Sequence, residues 1–493
     1  MRRASGRSLA WALLAVAVSA PQPAAQQPPA IQLFFEAASS DATKAAQALD
    51  AIGRHWRNGF AWLIVDLARF LTAVRPNVSA DLFEQPLPLT DEVARRFGEA
   101  PPEGRASPAA RPSPARARLI RFLEARTGQR FGDDLARWRD WMWKLPYDPH
   151  PDAMRFKATL YGAIDPRMSR FFTGHSLIRL DEIDWGGVKV NGIPPLTAPV
   201  SIPAGRATYL RDDHVVFGVV AGGQARAYPK RILAWHEMAH DALGGVPLTV
   251  VYCTLCGTVI PYLSVVEGTA RTFGTSGLLY RSNKLMFDEA SNSLWSTLEG
   301  KPVVGPLAGG SARLDFVPVV TTTWGEWRHA HPGTTVLSIA TGFDRDYSEG
   351  AAYRDYFATD RLMFRVPVID TRLRTKDEVL GLLLPARGGG RQPVAFSTSF
   401  LQRRPIHQAT FEGRALVVVT SPKGANRIFE AGGHQFATAS GEDRVIDVQG
   451  RIWRVTEEAL VLAGSGTRLA RIPAFRAFWF GWFAQFPDTE LVK

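Results

Sequence analysis

The chain reads as an α+β protein, with an all-helical, HEAT-like N-terminal module followed by a mainly β C-terminal domain that carries an internal duplication. Three observations lead there. Apolar residues recur at helical spacing up to about residue 170. From about residue 175 the texture changes to short β-rich runs punctuated by Gly and Pro. That β-rich part then repeats its own order of features.

Composition bounds the reading. The 493 residues are 46 % hydrophobic and 21 % charged, with a formal net charge of +11. This is ample for a large core in two or three domains. The positive excess is mostly scattered arginine, without dense basic runs or a nucleic-acid motif, so a solvated basic surface is expected and no nucleic acid is assigned.

At the N-terminus, "MRRASGR" is a basic stretch, "SLAWALLAVAV" a short apolar one and "SAPQPAA" a source of small residues for cleavage. The apolar run is short for a bilayer span. We read a signal peptide over 1–25, export to the periplasm or beyond, and no transmembrane anchor after cleavage. "DATKAAQALDAIGRHW", with Asp41 as N-cap, and "GFAWLIVDLARFLTAV" read as helices of a module spanning 26–98. A Pro/Ala/Arg linker over 99–118 follows, then helical pairs over 119–170. The paired helices suggest eroded HEAT-type repeats with a docking or capping role.

The β-rich domain covers 171–493, with a first copy at about 175–345 and a second at about 346–493. "HVVFGVVAGGQARAYPKRILAWHEMAHDALGGVPLTVVYCTLCG" and "DEVLGLLLPARGGGRQPVAFSTSFLQRRPIHQATFEGRALVVVTSPKG" share their sequence of strands, His and Gly turns. "FDEASNSLWS" is echoed by "IDVQGRIWRV". In this alignment Cys253 faces Thr420, Cys256 faces Lys423 and Gly257 faces Gly424, so the second copy keeps the scaffold without the thiols. "AFWFGWFAQFPDTEL" reads as a core helix, and Arg345 with Asp346, in "RDY", as a buried ion pair.

Cys253 and Cys256 are the two cysteines of the chain. In an oxidising compartment such a pair tends to a disulfide, yet so short a loop stabilises little. Strand, Cys-x-x-Cys-Gly, strand predicts a tight knuckle whose N–H groups converge on sulfur, which favours the thiolate for redox exchange or metal ligation. His236, Glu237 and His240 form a literal H-E-x-x-H, though the metzincin extension is absent. The series H-x3-H-x12-C-x2-C has the ligand spacing of a Cys2His2 zinc finger read backwards, and zinc or copper would suit it. Three readings stand. The first is a thiol oxidoreductase acting on a protein thiol or disulfide partner, with Cys253 and Cys256 as the redox pair and His236 or Glu237 handling protons. The second is a zinc or copper protein with Cys253, Cys256, His236 and optionally His240 as ligands. The third is a non-catalytic structural or interaction protein. "FGTSGLLYRSNKLMFDEASNSLWS" adds Tyr280, Asn283, Asp288 and Trp295 as pocket candidates, with a turn cap as the alternative role for Asp288.

The chain resembles the family of domain of unknown function 3179, from "LIRLDEIDWGGVKVNGIPPL" through "ARAYPKRILAWHE", "VVYCTLCG", "FGTSGLLYRSNKLMFD", "SLWS" and "TTTWGEWRHAHPGTTVLS" to "FWFGWFAQFPDTEL", about residues 177–491. The resemblance implies an exported protein without a settled activity, from a family in which some members are selenoproteins; selenium in place of a thiol would imply redox chemistry. The family's Cys-Pro-Leu-Cys is Cys-Thr-Leu-Cys here, Asn is usual where His240 stands, Met-Tyr-Asp-Arg is Met286-Phe287-Asp288-Glu289, and an Asp is replaced by Asn191.

Overall fold

A computed structural model describes residues 27–71, 113–441 and 443–493. The expected signal peptide and most of the expected linker lie outside the described residues, as does the end of the first helical module.

The N-terminal elements are helical where the periodicity places them. Asp41 caps Ala42–Arg54 by accepting from the Thr43 and Lys44 backbones. Ala61–Phe70 follows, then Pro114–Thr127, Leu135–Met142 and Ala153–Gly162. Pro114 opens its helix inside the expected linker, with Ser113 as the cap. The helices share one apolar core with a six-stranded sheet that includes Phe273–Tyr280, Asn283–Asp288 and Lys301–Gly305. Nothing in their packing singles out a HEAT repeat. A buried charge network pins them to the strand Ile183–Trp185: Lys157 Nζ lies 2.6 Å from Asp66 and 3.1 Å from the Ile183 carbonyl, while Asp184 receives Arg69 at 2.7 Å and also Arg139.

The C-terminal region is strand-rich, and two of its sheets are built alike. In one, the antiparallel hairpin Val215–Ala221/Gln224–Pro229 is flanked by antiparallel Val320–Thr323 and by parallel Thr335–Leu337, with Ser201–Pro203 added at the edge. In the other, Glu378–Pro385/Arg391–Ser397 is flanked by antiparallel Phe475–Phe478 and by parallel Glu490–Val492. The parallel strand is reached in each case through one short helix, Trp324–Ala330 or Trp479–Gln485. The core helix expected near the C-terminus is the second of these, with Trp479, Phe480 and Trp482 buried.

The same packing device seats both helices. Trp327 lies on Gly218, and Trp482 on Gly381, each in an interior strand of its sheet. A Cβ on Gly218 would sit 2.2 Å from the Trp327 ring, and one on Gly381 2.3 Å from the Trp482 ring. Each indole N–H then donates to a threonine beyond its helix, Thr334 at 2.8 Å and Thr489 at 2.9 Å. Each half also places a hairpin beside its sheet. Met238–Leu243/Val246–Cys253 continues into Thr258–Leu263, and Ile406–Phe411/Arg414–Thr420 continues into Asn426–Glu430. The latter belong to an eight-stranded, barrel-like sheet: Gln408 on its first strand bonds the His434 carbonyl and the Phe436 amide at its last.

Gly381→Ala forces the Trp482 indole off its seat and should lower the unfolding free energy by about 1–3 kcal/mol, as overpacking does. Gly205→Ala, with open space where its Cβ would lie, should leave the urea midpoint unchanged.

Candidate functional site

The strand Val246–Cys253 and the strand Thr258–Leu263 are joined by residues 254–257, and Cys253 and Cys256 form a disulfide across this turn with their Cα atoms 5.4 Å apart. Gly257, at φ +63°, lets the chain turn back, and its amide donates to the Thr254 carbonyl. Cys253 is 3 % exposed and Cys256 not at all. The surroundings are apolar, with Leu255, Leu279, Phe478 and Phe480 packed around the sulfurs.

Three segments close over the turn. The first is the helix Trp479–Gln485 of the other half: Phe478 donates its amide to the Cys256 carbonyl at 2.7 Å, and Gly481 lies so close that a Cβ would meet that of Cys256 at 3.2 Å. The second is the tight turn Arg281–Ser282 between Phe273–Tyr280 and Asn283–Asp288. Both turn residues are left-handed, at φ +51° and +63°, although neither is glycine. The Ser282 carbonyl lies 3.4 Å from Cys256 Sγ, and Asn283 donates to the Gly481 carbonyl at 3.0 Å. The third is the segment 351–366, which brings Tyr353, Tyr356 and Phe357 over the sulfurs. Tyr356 donates to the Leu255 carbonyl at 2.7 Å.

The neighbourhood of Cys256 therefore differs from the expected nest of N–H donors. A carbonyl and a shell of apolar rings surround its sulfur instead. Arg281 ties the site together by donating to Glu182 at 2.5 Å and to the Ala484 carbonyl at 2.7 Å.

The H-E-x-x-H motif does not form one helical face. Lys230–His236 ends at His236, because Glu237 adopts the left-handed conformation at φ +55° and the chain leaves as the strand Met238–Leu243. No glycine announces this cap, so sequence spacing alone misreads it. His236 bonds the Pro194 carbonyl at 2.9 Å and the Tyr347 hydroxyl at 2.5 Å. A carbonyl only accepts, so Nδ1 carries the proton and Nε2 of the neutral ring accepts from Tyr347. His240 bonds Thr249 Oγ1 at 3.2 Å and the Phe273 carbonyl at 2.7 Å. Burial lowers the pKa of both imidazoles. Among the described residues no group of three or more His, Cys, Asp or Glu side chains is placed to hold a metal ion. The tetrad expected from His236, His240, Cys253 and Cys256 is thus not assembled, and its ring nitrogens are engaged elsewhere.

Glu237 stays with the site. Its carbonyl accepts from the amide of Tyr252, the residue before Cys253, at 2.8 Å. Its carboxylate pairs with Lys284 at 3.1 Å and bonds the Tyr353 hydroxyl. Lys284 is 4 % exposed, and burial lowers its pKa despite the carboxylate. Burial and Glu237 hold Tyr353 well above the usual phenol range. No sequence signal marks Lys284, which sits in Asn283–Asp288, a strand buried on both faces.

The remaining candidates are placed as follows. Tyr280 is buried and its hydroxyl bonds Glu182. Asp288 caps its own hairpin by accepting from the Ala290 and Ser291 amides, and Trp295 Nε1 lies 3.4 Å from it. Asp447 and Trp453 repeat this device in the other half, with amides of Gln449 and Arg451 on the carboxylate and the indole at 2.9 Å. Arg345 and Asp346 are exposed rather than a buried pair.

A histidine with a lowered folded-state pKa binds its proton more readily when unfolded. Stability is therefore present above the unfolded value, about 6.5, and is lost as pH falls through that value toward the lower folded one. Unfolding free energy measured in urea should decline on acidification from pH 7 to 5. His240→Asn should make that decline shallower by up to one proton's worth of slope, and an unchanged slope would remove His240 from the account.

No curated protein and no solved structure matches this chain. Residues 190–489 match the family described as protein of unknown function DUF3179. That stretch contains the Cys turn, both indole-seated helices and the three segments that close over the sulfurs, and the chain belongs to this DUF3179 family.

Proposed function

We propose that this protein is an exported thiol–disulfide redox protein whose working pair is Cys253 and Cys256. The observation that carries the proposal is a disulfide that fastens nothing: it bridges a turn that the backbone pair Cys253↔Thr258 already closes. Cross-linking so short a loop takes little entropy from the unfolded chain. The turn after Arg414–Thr420 bends similarly without sulfur, since Gly424 is at φ +89° and its amide returns to the Ser421 carbonyl. The shared strand order, the two indole seats and the two Asp–Trp hairpins support descent of both halves from one duplicated unit. On that reading the cysteines are dispensable to the scaffold and are retained for chemistry.

The exchange we propose balances as follows. A thiolate of a protein partner attacks Cys253 Sγ, the less buried sulfur. A mixed disulfide forms and Cys256 leaves as a thiolate that takes up one proton. The partner's second thiol gives up its proton and attacks its own sulfur in the mixed disulfide, releasing Cys253 as a thiolate that is protonated in turn. The partner dithiol is oxidised by two electrons and the Cys pair is reduced; the reverse direction uses the same steps. Glu237 is our choice for the proton relay. Its carboxylate is bonded to Tyr353, which packs against the sulfur cluster. His236, whose ring nitrogens bond Pro194 and Tyr347, is not part of the relay we propose.

Burial of both sulfurs favours one competing reading, an inert structural disulfide, and the reduction potential separates the two. Alkylation of the protein equilibrated in glutathione buffers should give a midpoint above about −250 mV, whereas a value below about −300 mV belongs to a structural bridge and ends the redox proposal. Cys253→Ser and Cys256→Ser should each abolish exchange with a dithiol peptide while the far-UV circular dichroism stays unchanged.

Access requires the segment 351–366 to move. Tyr356→Ala removes its bond to Leu255 and its ring from the cluster. Reduction by dithiothreitol should then run about tenfold faster, the equivalent of one lost hydrogen bond of about 1.4 kcal/mol. An unchanged rate would mean that this segment is not the gate.

A further inference from the structure

We infer that a cleft between the two halves is a second binding site, for a short peptide-type ligand that carries a free amino group and a carboxylate. Each hairpin turn faces the helix of the opposite half. The Cys turn is sealed by Trp479–Gln485, whereas the turn carrying Lys423 and the helix Trp324–Ala330 border an open cavity of about 1310 Å³.

The chemistry of the lining selects the ligand. Glu326 lines the cavity, is 8 % exposed, and its buried Oε2 has no hydrogen-bond partner. A desolvated carboxylate oxygen without a donor is costly, and an entering ammonium group would relieve it. Glu457 lies in the same cavity but is already engaged, with Arg427 at 2.6 Å and Arg471 at 3.7 Å. Lys423 and Arg454 are exposed cations of the lining with no ion pair among the described residues, and they suit an anionic group. The lining holds no Phe, Tyr or Trp, and its ring side chains are the imidazoles of His329 and His331. The volume exceeds the roughly 300–1,000 Å³ of ordinary small-molecule sites, which suits several residues of peptide better than a single amino acid.

The test uses the full mature chain, a random-sequence tetrapeptide pool with free termini, and native mass spectrometry. Free-amine tetrapeptides should be retained, and the same pool after N-acetylation should bind at least tenfold more weakly. Glu326→Gln should abolish the preference for the free amine, and Lys423→Ala should weaken retention of the whole pool. If Glu326→Gln does not fold, the comparison of the two pools on the unaltered protein still decides. Equal retention of both pools, or no retention of either, overturns the proposal. Because no sulfur takes part, Cys253→Ser should bind the pool as the unaltered chain does, so failure here and failure of the redox reading are distinguishable.

Discussion

Each half of the strand-rich region depends on an indole resting on a glycine. A parallel strand can join a sheet only through a crossover that returns over one face, and the crossover must be held against that face. Here each crossover is a helix of seven residues, too short to be stable alone. Its anchor is a tryptophan in van der Waals contact with a bare stretch of backbone at Gly218 or Gly381, with the indole N–H satisfied by Thr334 or Thr489. Size and polarity are both accommodated: the ring needs the absence of a Cβ, and its buried N–H needs an acceptor. Once the helix is seated, its first turn is aimed at the hairpin of the opposite half, and both sites described above follow from that placement.

The Cys turn shows how much local strain this arrangement sustains. Glu237, Arg281, Ser282 and Tyr353 are left-handed without being glycine, and all four belong to the segments around the disulfide. Each such residue costs on the order of 1–2 kcal/mol relative to the right-handed form, so the surrounding contacts must over-determine them. They do: Glu237 is held by Lys284 and Tyr252, Arg281 by Glu182 and Ala484, and the Tyr353 hydroxyl is tied to Glu237. Left-handed residues other than glycine also stand at Asn191, Ala198, Glu267, Asn292 and Glu412, but around the Cys turn four come together.

Much of the architecture was legible because it rests on local chemistry. Asp41 caps where an Asp precedes a periodic run, and the C-terminal aromatic segment is buried as a helix. The echo between "FDEASNSLWS" and "IDVQGRIWRV" is an Asp–turn–Trp device whose two parts sit in one hairpin. The misreadings share a different cause. H-E-x-x-H looks like a helical face only if the helix continues, and a left-handed glutamate ends it without any residue that signals an end. Lys284 interrupts a buried strand, and only the tertiary position of Glu237 explains why a lysine is tolerated there. The segment 351–366 contains a single helical turn, Arg354–Phe357, and its role as a cover depends on which surface it happens to cross.

The two halves build like elements to different ends. An identical pair of facing turns and helices would present two equivalent sites, but the residues at the contacts differ in opposite directions. On one side Phe478 and Gly481 bring apolar surface and backbone down onto Cys253 and Cys256, and water is excluded. On the other side Thr323 and Glu326 stand near the corresponding places, and Lys423 comes from the facing turn, so the contact stays open. The indole seats are common to both, which is why one side could change its chemistry without unseating the helix. A dry, closed turn suits a bond that must be protected until a partner arrives; an open, charged one suits a ligand that exchanges freely with solvent.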